Sequence, residues 1–183
     1  RGSWNAVWIA ALVVALVAYA IALLVVRGGI VTVLGIAAAV QLVPLAAPLL
    51  LSKDAYLYWA GAREVIVHGA SPYRSSPSDF PADPATPYVS EEWRSGPPPY
   101  GPTWETLSLA PAAAAASSPR QAAFAYKLFS VLGVLLTLAL VASVARRAAS
   151  VAVLGWNPLL AVHFAGGGHS DGWLVALLCA GVV

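Results

Sequence analysis

An acid stands where an apolar run ends. Leu49-Leu50-Leu51-Ser52-Lys53 leads directly into Asp54. An ionisable group at the edge of a membrane segment is energetically unfavourable, and such groups mark functional sites. A carboxylate there can take a proton from a hydroxyl, the work of a general base. The same position suits a helix N-cap or an ion pair with Lys53. A second polar cluster is Gly166-Gly167-Gly168-His169-Ser170-Asp171. Glycines let a backbone approach a ligand closely. His169 and Asp171, two apart, can both point into a cavity, or the segment is a polar turn. With His163 they suggest a metal, but the spacing matches no tight metal-site pattern and no metal is expected.

Rings and cations supply the remaining candidates. Pro97–Trp104 (PPPYGPTW) is a stiff turn carrying Tyr100 and Trp104. Such rings stack on sugars or grip a lipid chain, and they also anchor at interfaces. Tyr58 follows Asp54 by one helical turn, and Tyr73 lies further along. Arg63, Arg74 and Arg94 can pair with a phosphate through the planar guanidinium, or remain solvated loop charges. No P-loop, HExxH or GxSxG pattern occurs, and no cofactor is expected.

The elements that must position these groups follow from charge placement. The chain is 60% hydrophobic and 10% charged, with mean hydropathy +0.76. A soluble domain carries about a quarter charged residues. Of its 18 charged residues, 13 lie between Lys53 and Lys127. This is the pattern of a multi-span membrane protein with one long polar loop. A net charge of +2 without a basic cluster argues against nucleic acid as a partner. The lone Cys179 lies in an apolar run and reads as filler.

Trp4–Val26 is long enough to cross a bilayer, which takes about 20 residues. It is too long for the core of a signal peptide. After the turn at Arg27-Gly28-Gly29, Ile30–Leu51 is a second uncharged run, with Pro44 and Pro48 predicting a kink or loosened last turn. Residues 1–51 thus read as a transmembrane hairpin. Residues 52–127 read as an external loop. Within it the spacing predicts a helix over 54–68 and a short interfacial helix over 104–116. Eleven prolines between Pro72 and Pro119 favour ordered turns elsewhere in it. Residues 128–183 read as further spans: Leu128–Ala145, a short one at Ser150–Ala165 broken by Pro158, and a fifth from Trp173. The last run is too short to span, and is expected to continue in a longer protein. Arg146-Arg147 is the densest basic pair in a short loop and is expected on the cytoplasmic side. Parity then puts Arg27 on the same side. The long loop and the Gly166–Asp171 turn share the extracytoplasmic face.

The ordered set resembles one family. Asp54 after a span, Gly69-Ala70-Ser71-Pro72-Tyr73, Tyr100-Gly101-Pro102, Trp156-Asn157-Pro158-Leu159 and Gly168-His169-Ser170-Asp171 are similar to the motifs of GT-C membrane glycosyltransferases. Among these they resemble the bacterial polyprenol-phosphate-mannose-dependent mannosyltransferases. Ser71 and Ser170 stand where relatives carry Asn, and Leu57 where they often carry Arg. The resemblance implies an all-α, GT-C-like membrane fold and a catalytic Asp at Asp54. It also implies a polyprenyl-phosphate sugar donor, a glycan or glycolipid acceptor, inversion, and no nucleotide-sugar site. Tyr58, Arg63, Tyr73, Arg74, Tyr100, Trp104, His169 and Asp171 are then the expected substrate contacts. A transporter or flippase of lipid-linked glycans would also place polar groups near kinked spans, but gives the aromatic loop no task. A non-catalytic subunit of an envelope assembly is the third reading.

Overall fold

The computed structural model describes residues 2–183; Arg1, the first residue of the expected hairpin, lies outside them. Among the described residues every regular element is helical. Helix α1 (Gly2–Val25) and α6 (Pro119–Val144) are long and apolar enough to cross a membrane. A third candidate is the pair α7 (Ala148–Gly155) and α8 (Pro158–Gly166), bent by 42° where Pro158 interrupts it. Two shorter apolar stretches, Ile30–Ala46 and Asp171–Ala180, complete the set.

The second run differs from the expected span. Helix α2 (Ile30–Leu42) ends well before Leu51 and tightens into a 3-10 turn over Val43–Ala46. Pro44 lacks the N–H that an α-helix would use, and Pro48 stops its resumption. The chain then runs irregularly to Leu51, whose φ of 68° is left-handed. That conformation costs about 1–2 kcal/mol for a residue with a Cβ.

The third expected span also starts elsewhere. Ser118 caps α6 by accepting from the Gln121 N–H at 3.3 Å, and Pro119 takes the first helical position. Arg120 and Lys127 are therefore helical residues of α6.

Between the apolar helices lies a packed polar segment. Helix α3 (Asp54–Ile66) and α5 (Pro102–Ala115) stack on the start of α6, with a single turn α4 (Glu91–Arg94) between them. Trp59 and Tyr126 are fully buried at their junction. The proline-rich stretch is pinned from inside. Arg63 Nε donates to both Asp83 carboxylate oxygens at 2.8 and 3.0 Å, and its Nη1 donates to the Ala116 carbonyl at 2.6 Å. His68 Nε2 lies 2.8 Å from the same carboxylate, its ring stacked on Phe80. Burial pulls the Asp83 carboxyl upward, but the bonds from Arg63, the Ala85 N–H and His68 outweigh it and hold it below the usual range.

Two acids in this segment share the interior without a cation. Glu64 and Glu105 are both buried, and Glu64 Oε1 has no partner although Ser75 Oγ donates to Oε2. Burial first, then the Glu64 charge, pushes Glu105 up to about 7. Burial likewise raises Glu64. A raised carboxyl contributes stability that is fully present below its unfolded pKa and lost as pH climbs through its folded one. Glu105→Gln should therefore gain about 1–3 kcal/mol over wild type at pH 8 and almost nothing at pH 4. Melting temperatures across that range measure it; parallel curves for the two proteins would contradict it.

Helix α9 (Asp171–Ala180) lies along α6 at backbone contact. A Cβ on Gly133 would meet the Gly172 carbonyl carbon at 2.8 Å, and one on Gly172 would meet the Ser130 oxygen at 3.0 Å. Small residues permit this approach between membrane helices. It fixes where α9 begins, and so where the preceding turn sits.

Candidate active site

Asp54 opens α3, and His169 sits in the turn before α9. The fold brings them together: His169 Nδ1 lies 3.2 Å from Asp54 Oδ2. Three anchors make this possible. Leu50 N–H donates to the Gly166 carbonyl at 3.0 Å, tying the end of the apolar run to the glycine turn. Gly168 adopts φ of 69°, and a Cβ there would meet Lys127 N at 3.3 Å and the Ala55 Cβ at 3.4 Å. Ser130 Oγ donates to the His169 carbonyl at 2.8 Å.

Lys127 secures the other side. It is 1% exposed, and its ammonium donates to the carbonyls of Pro44 at 2.6 Å and Ala47, with Leu45 and Pro48 at 3.4 and 3.5 Å. These are the carbonyls left open where α2 frays. Helix α6 thus holds both halves of the site: Lys127 the strand of chain entering Asp54, and Ser130 the turn carrying His169. Sequence reading took Lys127 for the edge of the loop. The signal was available, since a lysine beside an apolar run needs a partner.

The tautomer of His169 follows from its partners. A carboxylate only accepts, so the tautomer with the proton on Nδ1 is the one that suits this approach. Nε2 then accepts from the Ser52 hydroxyl at 3.3 Å. Ser52 Oγ in turn accepts from the Asp54 N–H at 3.3 Å. Burial lowers the His169 pKa, His163 lowers it further, and Asp54 and Asp171 oppose them without prevailing. The ring is therefore neutral near pH 7, and its 3.2 Å approach to Asp54 is a close polar contact rather than an aligned hydrogen bond. His169 is 9% exposed at its side chain and Asp54 33%. The imidazole lies against one carboxylate oxygen, and the carboxylate stays partly exposed beside it.

Around this pair lie most of the expected contacts. Tyr58 donates to Ser170 Oγ at 3.4 Å and meets Tyr100 and Trp104 edge-on, at 4.9 and 4.8 Å between ring centres. Burial raises the pKa of Tyr58 and Tyr100, so both stay neutral hydroxyls. A cavity of about 270 Å³ opens beside them, walled by Tyr100, Trp104, Ser170 and Trp173 and continuing to Leu174 and Leu177. Arg63, Tyr73 and Arg74 stand apart. Arg63 lies roughly 13 Å along α3 at 1.5 Å per residue and is committed to Asp83. Tyr73 and Arg74 are exposed in the turn that follows Gly69.

His163, His169 and Asp171 offer ligand atoms within 4.8 Å of one another. His163 comes from the π-helical stretch Ala161–Gly166. Its ring lies flat on that of His169, 4.2 Å apart and 15° from parallel. Imidazole lone pairs lie in the ring plane, so stacked rings do not aim at one point. His169 Nε2 is also engaged by Ser52, and its Nδ1 faces Asp54. In this arrangement the three do not make a coordination sphere.

A family model described as alpha-(1->6)-mannopyranosyltransferase, N-terminal domain, matches residues 5–183. The chain belongs to this family. It is 33% identical over 145 residues to a probable alpha-(1->6)-mannopyranosyltransferase of Mycolicibacterium smegmatis, covering 75% of this chain and 26% of the relative. It is 29% identical over 151 residues to alpha-(1->6)-mannopyranosyltransferase A of Corynebacterium glutamicum, covering 78% and 30%. An alpha-(1->6)-mannopyranosyltransferase of Mycobacterium tuberculosis is 31% identical over 146 residues, covering 75% and 24%. The chain spans between about a quarter and a third of the length of these relatives. No solved structure matches it. Of the motifs that carry the family resemblance, the fold brings Tyr100 and the turn at 168–171 close to Asp54. The motif at 69–73 instead follows the far end of α3, and Trp156 packs against α2, donating Nε1 to the Val33 carbonyl at 3.0 Å.

Proposed function

We propose that this domain carries the catalytic base of an integral-membrane mannosyltransferase. The donor is a polyprenyl-phosphate mannose, and the acceptor a hydroxyl of an envelope glycan or glycolipid. Asp54 takes the hydroxyl proton as that oxygen attacks the anomeric carbon. The bond to the phosphate oxygen breaks on the opposite face, so configuration inverts, and the phosphate leaves with the bonding electrons. The observation that carries this reading is the 3.2 Å approach of His169 to Asp54, which sets an imidazole against a partly exposed carboxylate. Of the expected phosphate contacts, His169 is the one beside Asp54; with Nδ1 facing the carboxylate and Nε2 on Ser52, the neutral ring positions the base rather than donating to the phosphate. The aromatic cavity supports the same reading. Tyr100 and Trp104 present faces to a sugar, and the exposed Leu174 and Leu177 give a lipid chain a side entrance.

Transfer assays on the full-length protein test it. Radiolabelled mannose should pass from polyprenyl phosphate to an acceptor glycan. Transfer from a nucleotide sugar instead, or movement of a lipid-linked glycan without a new bond, would favour the alternative chemistries.

The site belongs on the extracytoplasmic face in this reading, with a multi-pass chain and Arg146-Arg147 inside. A cysteine placed at Ser78, which is exposed, should react with an impermeant thiol reagent in intact cells. One placed at Gly28 should not. The reverse pattern would invert the topology.

A further inference from the structure

A second, larger cavity of about 640 Å³ lies between the frayed end of α2, α3 and the start of α6. We propose that it binds the headgroup of an anionic membrane phospholipid. Two cations, Arg120 and Lys127, line it, and no carboxylate does. Lys127 pairs with no acid, but its protons are taken by carbonyl oxygens, so it lies behind the wall and Arg120 is the cation left to meet a phosphate. Arg120 is exposed at the rim and offers a planar fork that fits two phosphate oxygens. Tyr56 and Tyr88, with ring centres 5.1 Å apart, put two hydroxyls at the same wall. Below them Leu45, Leu49 and the half-exposed Phe124 provide an apolar floor for an acyl chain. A cation above apolar side chains, at the end of a candidate span, is the arrangement by which basic pockets between membrane helices hold lipid phosphates.

The occupant is not the sugar donor. Tyr56 follows Asp54 by two residues, which on a helix is about 200° around the axis. The cavity therefore opens on the side of α3 that faces away from the Asp54 carboxylate, and a phosphate held there leaves its sugar out of reach. The lipid instead fills the gap where α2 has unwound, next to the carbonyls that Lys127 holds. This inference rests on the membrane placement proposed above and is independent of the catalytic assignment.

The test uses full-length protein in nanodiscs of phosphatidylcholine doped with phosphatidylglycerol, with retained lipid counted by native mass spectrometry. Wild type should retain phosphatidylglycerol over phosphatidylcholine by roughly fivefold or more, the size expected for about one basic contact. Arg120→Ala should bring that ratio close to one, and Arg120→Glu below one. Asp54→Asn should leave it unchanged, so failure of the catalytic reading would not touch this result. Equal retention by wild type, or an Arg120→Glu protein that still prefers phosphatidylglycerol, would overturn the proposal. So would competitive displacement of phosphatidylglycerol by polyprenyl phosphate, which would assign the cavity to the donor.

Discussion

Asp54→Asn should lower turnover of the full-length enzyme by about 10²–10⁴-fold, the usual contribution of a general base. Asn keeps the shape and the place beside His169 Nδ1, which lies 3.2 Å from Asp54 Oδ2. It cannot take the proton of an attacking hydroxyl. Donor affinity should change within a few-fold, because the chain and sugar touch the aromatic cavity instead. Ser52→Ala separates this from a second arrangement. Ser52, His169 and Asp54 stand in the order of a nucleophile, base and orienting acid. A base at Asp54 tolerates loss of the serine hydroxyl with about a tenfold effect, since Ser52 only supports the ring. A nucleophilic serine would make Ser52→Ala as damaging as Asp54→Asn. Initial rates at saturating donor, beside donor binding, decide between them; near-normal turnover in Asp54→Asn would reduce Asp54 to the first residue of a helix. His169→Ala should lower the rate, and a parallel loss of donor engagement would show that the imidazole leaves Ser52 to reach the phosphate.

Lys127→Met should be the most damaging substitution outside the reacting groups. It removes the ammonium that satisfies carbonyls at Pro44, Leu45, Ala47 and Pro48, all at the frayed end of α2. Each buried acceptor left unsatisfied costs about 1–3 kcal/mol, so a loss of about 3 kcal/mol is expected even with partial relaxation. The same segment leads into Ser52 and Asp54, so turnover should fall as well. A displacement of about 1 Å at a reacting group can cost on the order of 10²-fold. Lys127→Arg keeps the charge and donors and should recover part of both losses. Thermal unfolding in detergent and single-turnover rates read the two effects. A Lys127→Met protein that melts and reacts like wild type would remove the lysine from any role in positioning the site.

Much of the architecture was legible in the chain. Hydropathy alone marks α1, most of α6 and the bent pair, because a membrane segment must carry about 20 apolar residues whatever it packs against. Proline placement predicted the loosening after Leu42 and the break at Pro158, because the ring removes a backbone donor locally. The short helix over Pro102–Ala115 was likewise visible within a few residues. The start of α6 was not read correctly. Ser118-Pro119 is a start signal, but the charges at Arg120 and Lys127 made that stretch look like loop.

Local sequence also determined which residue types were suited to chemistry. Asp54 was conspicuous because a carboxylate beside an apolar run is costly, and Gly166–Asp171 because three glycines interrupt helix-forming sequence. Span parity already predicted the two on one face and in reach of one cavity; their contact was decided only by tertiary structure. It depends on the Gly133–Gly172 backbone contact, on Gly168 passing close to Lys127, and on Lys127 gathering carbonyls far away in sequence. Arg63 shows the converse. Its side chain suited a phosphate, yet folding gave it Asp83 and the Ala116 carbonyl. A short-range pattern reports what a side chain can bind, whereas its partner is set by which long-range packing satisfies the most buried polar groups at once.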